Sequence, residues 1–337
     1  MKKKPLIGLL SELLLPIPAY ELASDLNIDL VVFTPYSINW SLQKIHGLFW
    51  DGEHWIKTTT RFPDAVYNRR YTSSETVINR LEQYIGKNKV FNRITKLDKW
   101  KTHRILSASL INVGIPNTQI LTKNSFNKMI SHPNGVILKP RIGSFGEGVF
   151  LLQQKDKHYH LFEGSNQPIV IAENIDKLIA TMAAKPDYLI QGFIPPAPIG
   201  ERIFDIRLIM QKGADGNWNA SASLSRLSLK NVFITNLCRR IQSVQESLAL
   251  LSDSINPEEF LLNLETVSLK VCSTLEKRLG LLGDISVDFI IDNGYKPWLI
   301  EVNGKPEKAN LIELLEPELM EKVYSRPLEY AKMLAEK

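Results

Sequence analysis

Cysteine is nearly missing from this chain of 337 residues: only Cys238 and Cys272 occur, far apart, outside any CxxC spacing and with no cluster of the six histidines near them. A disulfide framework and a cysteine–histidine zinc centre are therefore excluded, and a reducing compartment fits. Charge of one sign is also in short supply, with 41 Lys and Arg against 36 Asp and Glu and a formal net charge of +5. An excess this small, dispersed along the chain, does not make a nucleic-acid binder, and a small anionic partner suits it equally well. Long apolar runs are absent too. The nearest, Leu6 to Leu15 after Lys2-Lys3-Lys4, is interrupted by Glu12, followed at once by Pro16 and Pro18, and too short to span a bilayer. We read Leu6 to Leu10 as a buried strand and the lysines as a solvated terminus. The expected setting is cytoplasmic, with no membrane partner. Two phosphate-binding signatures are missing as well: no dinucleotide glycine pattern follows the first strand, and no Gly-Lys-Ser/Thr loop occurs.

What remains is ordinary globular material, 44% hydrophobic and 23% charged, long enough for two or three domains. The first ninety or so residues read as a small α/β unit: strand Leu6 to Leu10, helix near Ala19 to Leu26, strand Leu30 to Thr34, short strands at Lys44 to Trp50, Trp55 to Thr59 and Ala65 to Tyr67, and a helix from Ser74 to Ile85. A second unit opens at Asp98, placed to cap a helix through Leu106 and Leu110 that stops at Gly114, so a boundary falls near residue 93. Strand Gln119 to Leu121, a helix near Asn124 to Ser131 and strand Val136 to Lys139 follow. The last runs into Gly143-Ser144-Phe145-Gly146-Glu147-Gly148. Tyr188 to Ile194 is a strand. In Ile203 to Gln211, Phe204, Ile206, Leu208 and Met210 alternate with Asp205, Arg207 and Gln211, giving one core face and one free face. A further strand spans Trp218 to Leu227. The clearest helix is Pro257 to Leu279, with Asn256 as cap, Pro257 at its first position and Gly280 as its stop. Its stripe of Phe260, Leu264, Val267, Val271, Leu275 and Leu279 is structural. The tail from Ile312 to Lys337 reads as a helix on the surface.

Two constellations carry chemistry. Ser286 to Asn303 reads as a β-hairpin around Asn293-Gly294. Asp288 lies diagonal to Glu301 if the loop holds two residues and directly opposite it if it holds four; either way both share a face with Asn303. Carboxylates so close repel unless a cation lies between them, and Mg²⁺, which takes oxygen ligands and bridges carboxylates to phosphates, is the natural candidate. A merely wetted polar face is the plainer alternative. The second constellation is Lys139 with the glycine loop, a charge next to a backbone able to cradle phosphate, though such a turn can equally be an ordinary hairpin loop. His103, His132, His158 and His160 read as surface residues, and Trp40, Trp50, Trp55 and Tyr67 as core packing in preference to a substrate pocket.

Taken together, Lys139 with GSFGEG, the Asp205-Ile206-Arg207 strand, and Asp288 with Glu301-Val302-Asn303 resemble the ATP-grasp superfamily over about residues 93 to 310. Asp98-Lys99-Trp100, Tyr67-Asn68-Arg69, Thr235-Asn236-Leu237 and Glu301-Val302-Asn303-Gly304-Lys305-Pro306 look most like its YheC/YheD group, described as endospore coat-associated proteins. The resemblance implies an α/β fold with α+β lobes: an N-terminal pre-ATP-grasp domain (1–92), a first lobe with the glycine-rich lid (93–190), a second lobe with the metal site (191–312) and a helical tail (313–337). It implies ATP and Mg²⁺ as cofactors. Lys99 and Lys139 would hold phosphates beneath a lid of Gly143, Ser144, Phe145, Gly146 and Gly148. Gln191, Gly192 and Phe193 would form the hinge beside adenine, offering mainly backbone hydrogen bonds, and Asp205 would lie towards the ribose and triphosphate. Asp288, Glu301 and Asn303 would carry the metal, while Arg207, Arg226 and Asn236 would serve the reaction. The implied activity is a carboxylate–amine ligase working through an acylphosphate on small-molecule substrates, with a link to sporulation and spore coat components. The alternative is a non-catalytic ATP-binding or coat-assembly protein. Arg207 and Arg226, each taken alone, read equally as ion-pair residues. One departure stands out: related ligases often carry a glycine pair just after Asn-Leu, where this chain has Cys238-Arg239-Arg240.

Overall fold

The computed structural model describes residues 4–337 apart from 73, 110, 111, 144, 145, 185, 186, 236, 237 and 315; the expected site residues Ser144, Phe145 and Asn236, and Leu110 of the first capped helix, lie outside the described residues. Three sheets follow one another along the chain. The first comprises β1 (Leu6–Leu10), β2 (Asp29–Phe33), β3 (Ile38–Asn39), β4 (Lys44–Trp50), β5 (Trp55–Arg61), β6 (Ala65–Asn68) and β7 (Val90–Phe91), with helix α1 (Glu75–Ile85) between the last two. Its order is β3-β4-β2-β1-β6-β7, with β5 on the outer side of β4. β1 is parallel to both β2 and β6, and every residue of β1 is buried, as an all-apolar run flanked on both sides requires. The segment expected as a helix near Ala19 is instead a 3₁₀ stretch over Pro18–Ser24. Its N-terminal residue Ile17 has no side-chain acceptor for the free amides of a first α-turn, which fits the tighter winding.

After helix α2 (Lys99–Ser107), the second sheet is built from β8 (Thr118–Ile120), helix α3 (Lys123–Met129), β9 (Val136–Pro140), β10 (Phe150–Lys155), β11 (His158–Glu163), β12 (Pro168–Ala172), helix α4 (Asp176–Ala183) and β13 (Tyr188–Gly192). Its order is β12-β11-β10-β9-β13-β8, antiparallel throughout. The third sheet contains β14 (Phe204–Lys212), β15 (Trp218–Ser228), β16 (Cys238–Gln242), β17 (Asp284–Ile291) and β18 (Pro297–Asn303), with helices α5 (Val244–Leu251) and α6 (Pro257–Leu279) inserted before β17. Its order is β16-β15-β14-β17-β18, again antiparallel.

The alternation in β14 sorts as the sequence requires. Phe204, Ile206, Leu208 and Met210 join Val287, Phe289 and the α6 residues Leu264, Val271, Cys272 and Leu275 in one apolar core, which α2 completes through Leu106. Asn256 caps α6 by accepting from the amides of Glu258 (3.1 Å) and Glu259 (3.2 Å). The opposite face of the sheet carries the charged residues. Its apolar centre, Ile209, Leu224 and Ile241, is covered by Leu311 and by Val323 of helix α7 (Pro317–Glu336). The tail is therefore not a surface addition: farther along α7, Leu328, Tyr330, Ala331 and Leu334 pack with Ile7, Leu9 and Tyr67 of the first sheet. Its helical character was legible in the sequence, but a partner so distant in the chain was not.

Where α7, the first sheet and the third sheet meet, Asp284 is fully buried. Lys308 Nζ lies 2.7 Å from its carboxylate, Gln211 donates to it at 2.9 Å, and the Tyr67 hydroxyl donates a short hydrogen bond. A buried charge with this many partners is stable; one stripped of its cation is not. Replacing Lys308 by methionine is expected to lower unfolding stability by about 3–5 kcal/mol, measured in urea; a loss of less than about 1 kcal/mol would show that the joint is unimportant.

Candidate active site

The second and third sheets face each other across a cavity of about 330 Å³. It is lined from the second sheet by Ile137, Lys139, Gly143 and Gly146, and from the third by Asp205, Arg207, Arg226, Asp288, Glu301 and Asn303. Lys99, Gln191, Gly192 and Phe193 reach it as well. The structure thus brings the described residues expected for the site to one cavity, with the exception of Gly148.

Each wall can be built from its residues. Asp98 caps α2, accepting from the amides of Trp100 (2.9 Å) and Lys101 (3.1 Å), and Arg141 clamps the same carboxylate with its Nε at 2.9 and 2.8 Å. That fixes Lys99 at the first helical position. Its Nζ donates to the Gly143 carbonyl at 2.8 Å and sits 3.0 Å from Glu301 Oε1, linking the glycine loop to the hairpin. Gly146 and Gly148 have φ of 71° and 68°, a region costly for residues with a side chain. A Cβ on Gly148 would also stand 2.8 Å from the Tyr188 hydroxyl.

Lys139 is 7% exposed, and its ammonium donates to Gln191 Oε1 at 2.8 Å, while the Gln191 amide nitrogen donates to Thr118 Oγ1 at 2.8 Å. Burial pushes the Lys139 amine down to about 8; Glu301 opposes the fall and the neighbouring Lys99 adds to it. The hinge differs from expectation in one respect. The amides of Gly192 and Phe193 already donate to Asn117 O (2.9 Å) and Gly135 O (3.0 Å), so neither is available to a ligand. What this end of the cavity offers is an apolar wall of Ile137, Val149, Phe193, Phe233 and Ile290, fit for the face of a flat ring.

On the third sheet, Asp288 lies directly opposite Glu301. This is one of the two expected registers, reached by a different route. The loop runs from Asp292 to Lys296, and a bulge at Ile300 then shifts the register so that Phe289 pairs with Leu299 and Asp288 with Glu301. Asp292 closes the turn, accepting from the amides of Gly294 and Lys296, each at 2.9 Å, and Tyr295 adopts φ of 62°. Arg207, paired with Asp288 across the strands, holds it with two bonds of 2.8 and 2.6 Å. Arg226 grips Asp205 with both guanidinium arms, one at 2.9 Å, and touches Asp288 at 3.3 Å. Thr235 donates to Asp205, and the Asn303 amide donates to Asp288 at 3.3 Å. Burial alone would raise the Asp288 carboxyl, but Arg207 and then Arg226 hold it below the usual carboxylate range. Arg207 and Arg226 are therefore partners in a buried network rather than in a surface ion pair.

Asp288, Glu301 and Asn303 present only oxygen donors, two from carboxylates and one from an amide. That fits a hard cation which keeps several waters. The Cys238-Arg239-Arg240 segment resolves differently from its sequence. Cys238 lines the cavity, while Arg240 turns outward to Glu246 at 2.7 Å. Among the lining residues given no site role by the sequence, Tyr71 sits in a loop with no motif, Lys305 lies two residues after Asn303, and Ile300 is the bulge residue.

With this geometry in hand, the comparisons with known proteins are decisive for the family. The profile of the YheC/D-like ATP-grasp family matches residues 87–334. The chain belongs to that family. It is similar to the endospore coat-associated protein YheC of Bacillus subtilis (strain 168), 22% identical over 327 residues that cover 93% of this chain and 90% of that protein. Among solved structures it resembles carboxyaminoimidazole synthetase from Staphylococcus aureus complexed with ADP, with a TM-score of 0.60 at 10% identity, covering 98% of this chain and 78% of that one. D-alanyl-alanine synthetase A from Vibrio cholerae gives a TM-score of 0.55 at 11% identity, covering 100% and 98%. At these identities the structural likeness establishes the ATP-grasp fold, an α+β architecture shared with carboxylate–amine ligases. No helix among the described residues is long and apolar enough to cross a membrane.

The electrostatics of the basic wall can be checked directly. In NMR of reductively methylated lysines, Lys139 should titrate near pH 8, and replacing Lys99 by methionine should move that titration upward, because a repelling cation has gone. An unchanged titration, or one in the ordinary lysine range of about 10.4, would contradict this picture of the wall.

Proposed function

We propose that this chain is an ATP- and magnesium-dependent ligase that joins a small carboxylic acid to an amine through an acylphosphate, in a sporulation-linked setting. The observation that carries the reading is the convergence of Lys99 and Lys139 with Asp288 and Glu301 on one cavity, Lys99 Nζ standing 3.0 Å from Glu301. A binding surface that needed shape alone has no use for cations and acids gathered in this way.

In this reading the adenine lies against the apolar wall of Ile137, Phe193 and Ile290, and Lys99 and Lys139 bind the phosphates beneath the glycine loop. Asp288, Glu301 and Asn303 would hold magnesium, which when bound offsets the charge on the phosphates and on the group in transfer. Arg207 and Arg226 stand beside the carboxylates, and their planar forks match a carboxylate or phosphoryl group. A carboxylate oxygen of the acid attacks the γ-phosphorus as the bond to ADP breaks. The amine nitrogen then attacks the carbonyl carbon of the acylphosphate, inorganic phosphate departs with the electrons of the C–O bond, and the nitrogen loses a proton. The loop around Gly143 and Gly146 acts as a lid that keeps water from the acylphosphate.

A nucleotide-binding protein of coat assembly without turnover is the second reading. It is favoured by one observation: Cys238 lines the cavity, in the segment where the family resemblance would often place a glycine pair.

Release of ADP and phosphate, screened across amino acids, short peptides and polyamines with and without added acids, separates the two. Stimulated release supports the ligase; tight ATP binding with no stimulation by any pair supports the second reading. In the same assay Glu301→Gln should weaken magnesium-dependent ATP binding by about tenfold or more, and an unaltered magnesium dependence would remove the metal assignment.

A further inference from the structure

The cavity continues past Arg207 to a second concentration of positive charge that the ligase reading leaves unused. β1 pairs in parallel with β2 on one side and β6 on the other, so the strand order reverses at β1. The carboxyl ends of such neighbours open a crevice, the usual place for a ligand in a parallel α/β sheet. The loop after β6 carries Arg69, Arg70 and Tyr71. Glu12, from the loop after β1, fixes that loop by accepting from the amides of Tyr71 (2.8 Å) and Thr72 (2.7 Å), and it takes the Arg70 guanidinium at 3.1 Å. Arg70 is thereby neutralised.

Arg69 and Lys305 are not. The Arg69 guanidinium lies over the rings of Tyr20 (4.8 Å) and Tyr67 (5.7 Å), and its Nε is buried without an acceptor. Lys305 reaches the cavity from the strand end opposite, its ammonium 3.6 Å from the centre of the Tyr71 ring. Among the described residues neither forms an ion pair, and Arg69 lies close enough to Lys305 for the two charges to repel. The acids in range are engaged or solvated: Asp284 pairs with Lys308, Glu12 with Arg70, and Glu307 is exposed. Aromatic faces stabilise such cations only in part, and the remaining deficit is an anion. This end of the cavity is continuous with Arg207 and Asp288, where the reacting carboxylate would sit.

We propose that Tyr71 and Lys305, with the charge of Arg69 close by, form a subsite for a second acidic group on the acid substrate, so that the molecule activated carries two anionic groups, one reacting and one anchored. The inference rests on the ligase reading for the position of the reacting group, and on the unpaired cations alone for the anchor. A carboxylate or a phosphate would satisfy the same cations, and the experiment tells them apart.

Protein loaded with magnesium and a non-hydrolysable ATP analogue is titrated calorimetrically with malonate, glutarate and pimelate, with the monoacid of the same chain length as each, and with the phosphonates in which one carboxylate is replaced. At least one diacid or phosphonate should bind about tenfold more tightly than its monoacid. The stronger head group identifies the source of the anion. Lys305→Gln should abolish the advantage and Lys305→Arg should restore most of it, with binding of the ATP analogue reporting that each variant is folded. Absence of any advantage in the wild-type protein, or an advantage that survives Lys305→Gln, overturns the proposal. Should the ATP analogue itself fail to bind, the ligase reading falls. The same acids titrated into nucleotide-free protein then decide the subsite by itself, by the same criterion.

Discussion

Two carboxylates and two guanidinium groups lie side by side on one face of the third sheet, nearly out of contact with water. Asp205, Arg207, Arg226 and Asp288 are tolerable there only because each is bonded to another, since an unpartnered charge at such depth costs several kcal/mol. Pairing across adjacent antiparallel strands supplies the geometry: Arg207 stands opposite Asp288, and Arg226 stands opposite Asp205. The arrangement constrains everything around it. The sheet must be covered on this face, which α7 and Leu311 accomplish at its centre. The uncovered remainder becomes a cavity whose polar side is already assembled before any ligand arrives. A preassembled set of charges in a low-dielectric cleft is the arrangement from which electrostatic catalysis draws most of its effect.

The opposite wall has a complementary logic. Lys139 is held in the cavity by Gln191, which is itself oriented by Thr118, so the amine cannot withdraw to solvent. Its depressed proton affinity follows from that confinement, with Lys99 adding to it. An arriving polyanion would relieve both burial and repulsion, so affinity for phosphate should be greatest below pH 8, where the amine carries its proton, and should fall above it. The two walls belong to different sheets, yet Lys99 already spans them by touching both Gly143 and Glu301.

Much of this was legible in the chain. The alternation of Phe204, Ile206, Leu208 and Met210 with Asp205 and Arg207 declares a strand with one apolar and one charged face, because side chains in a strand alternate. The α6 helix announces both ends through Asn256, Pro257 and Gly280. Glu301 and Asn303, two apart, had to share a face with each other. The sequence left Asp288 and Glu301 either diagonal or directly opposite, and could not choose, because a bulge at Ile300 obeys no local code. Nor was the burial of α7, whose partners Ile7 and Tyr67 come from the far end of the chain. The place of Tyr71 and Lys305 in the cavity was not legible for the same reason: a loop residue and a residue after a strand gain meaning only when the fold sets them ring to ammonium. Cys238 and Arg240 show the limit of reading bulk and charge from letters, since the sheet turns one into the cavity and the other away.

The account comes down to whether a single triphosphate fits between Lys139 and Glu301. A crystal structure of the protein with magnesium and a non-hydrolysable ATP analogue tests that most directly. Phosphate oxygens within hydrogen-bonding reach of Lys99 and Lys139, with the metal ligated by Asp288 and Glu301, are what the account predicts. A nucleotide bound elsewhere on the surface, or one whose phosphates face away from the hairpin, would contradict it.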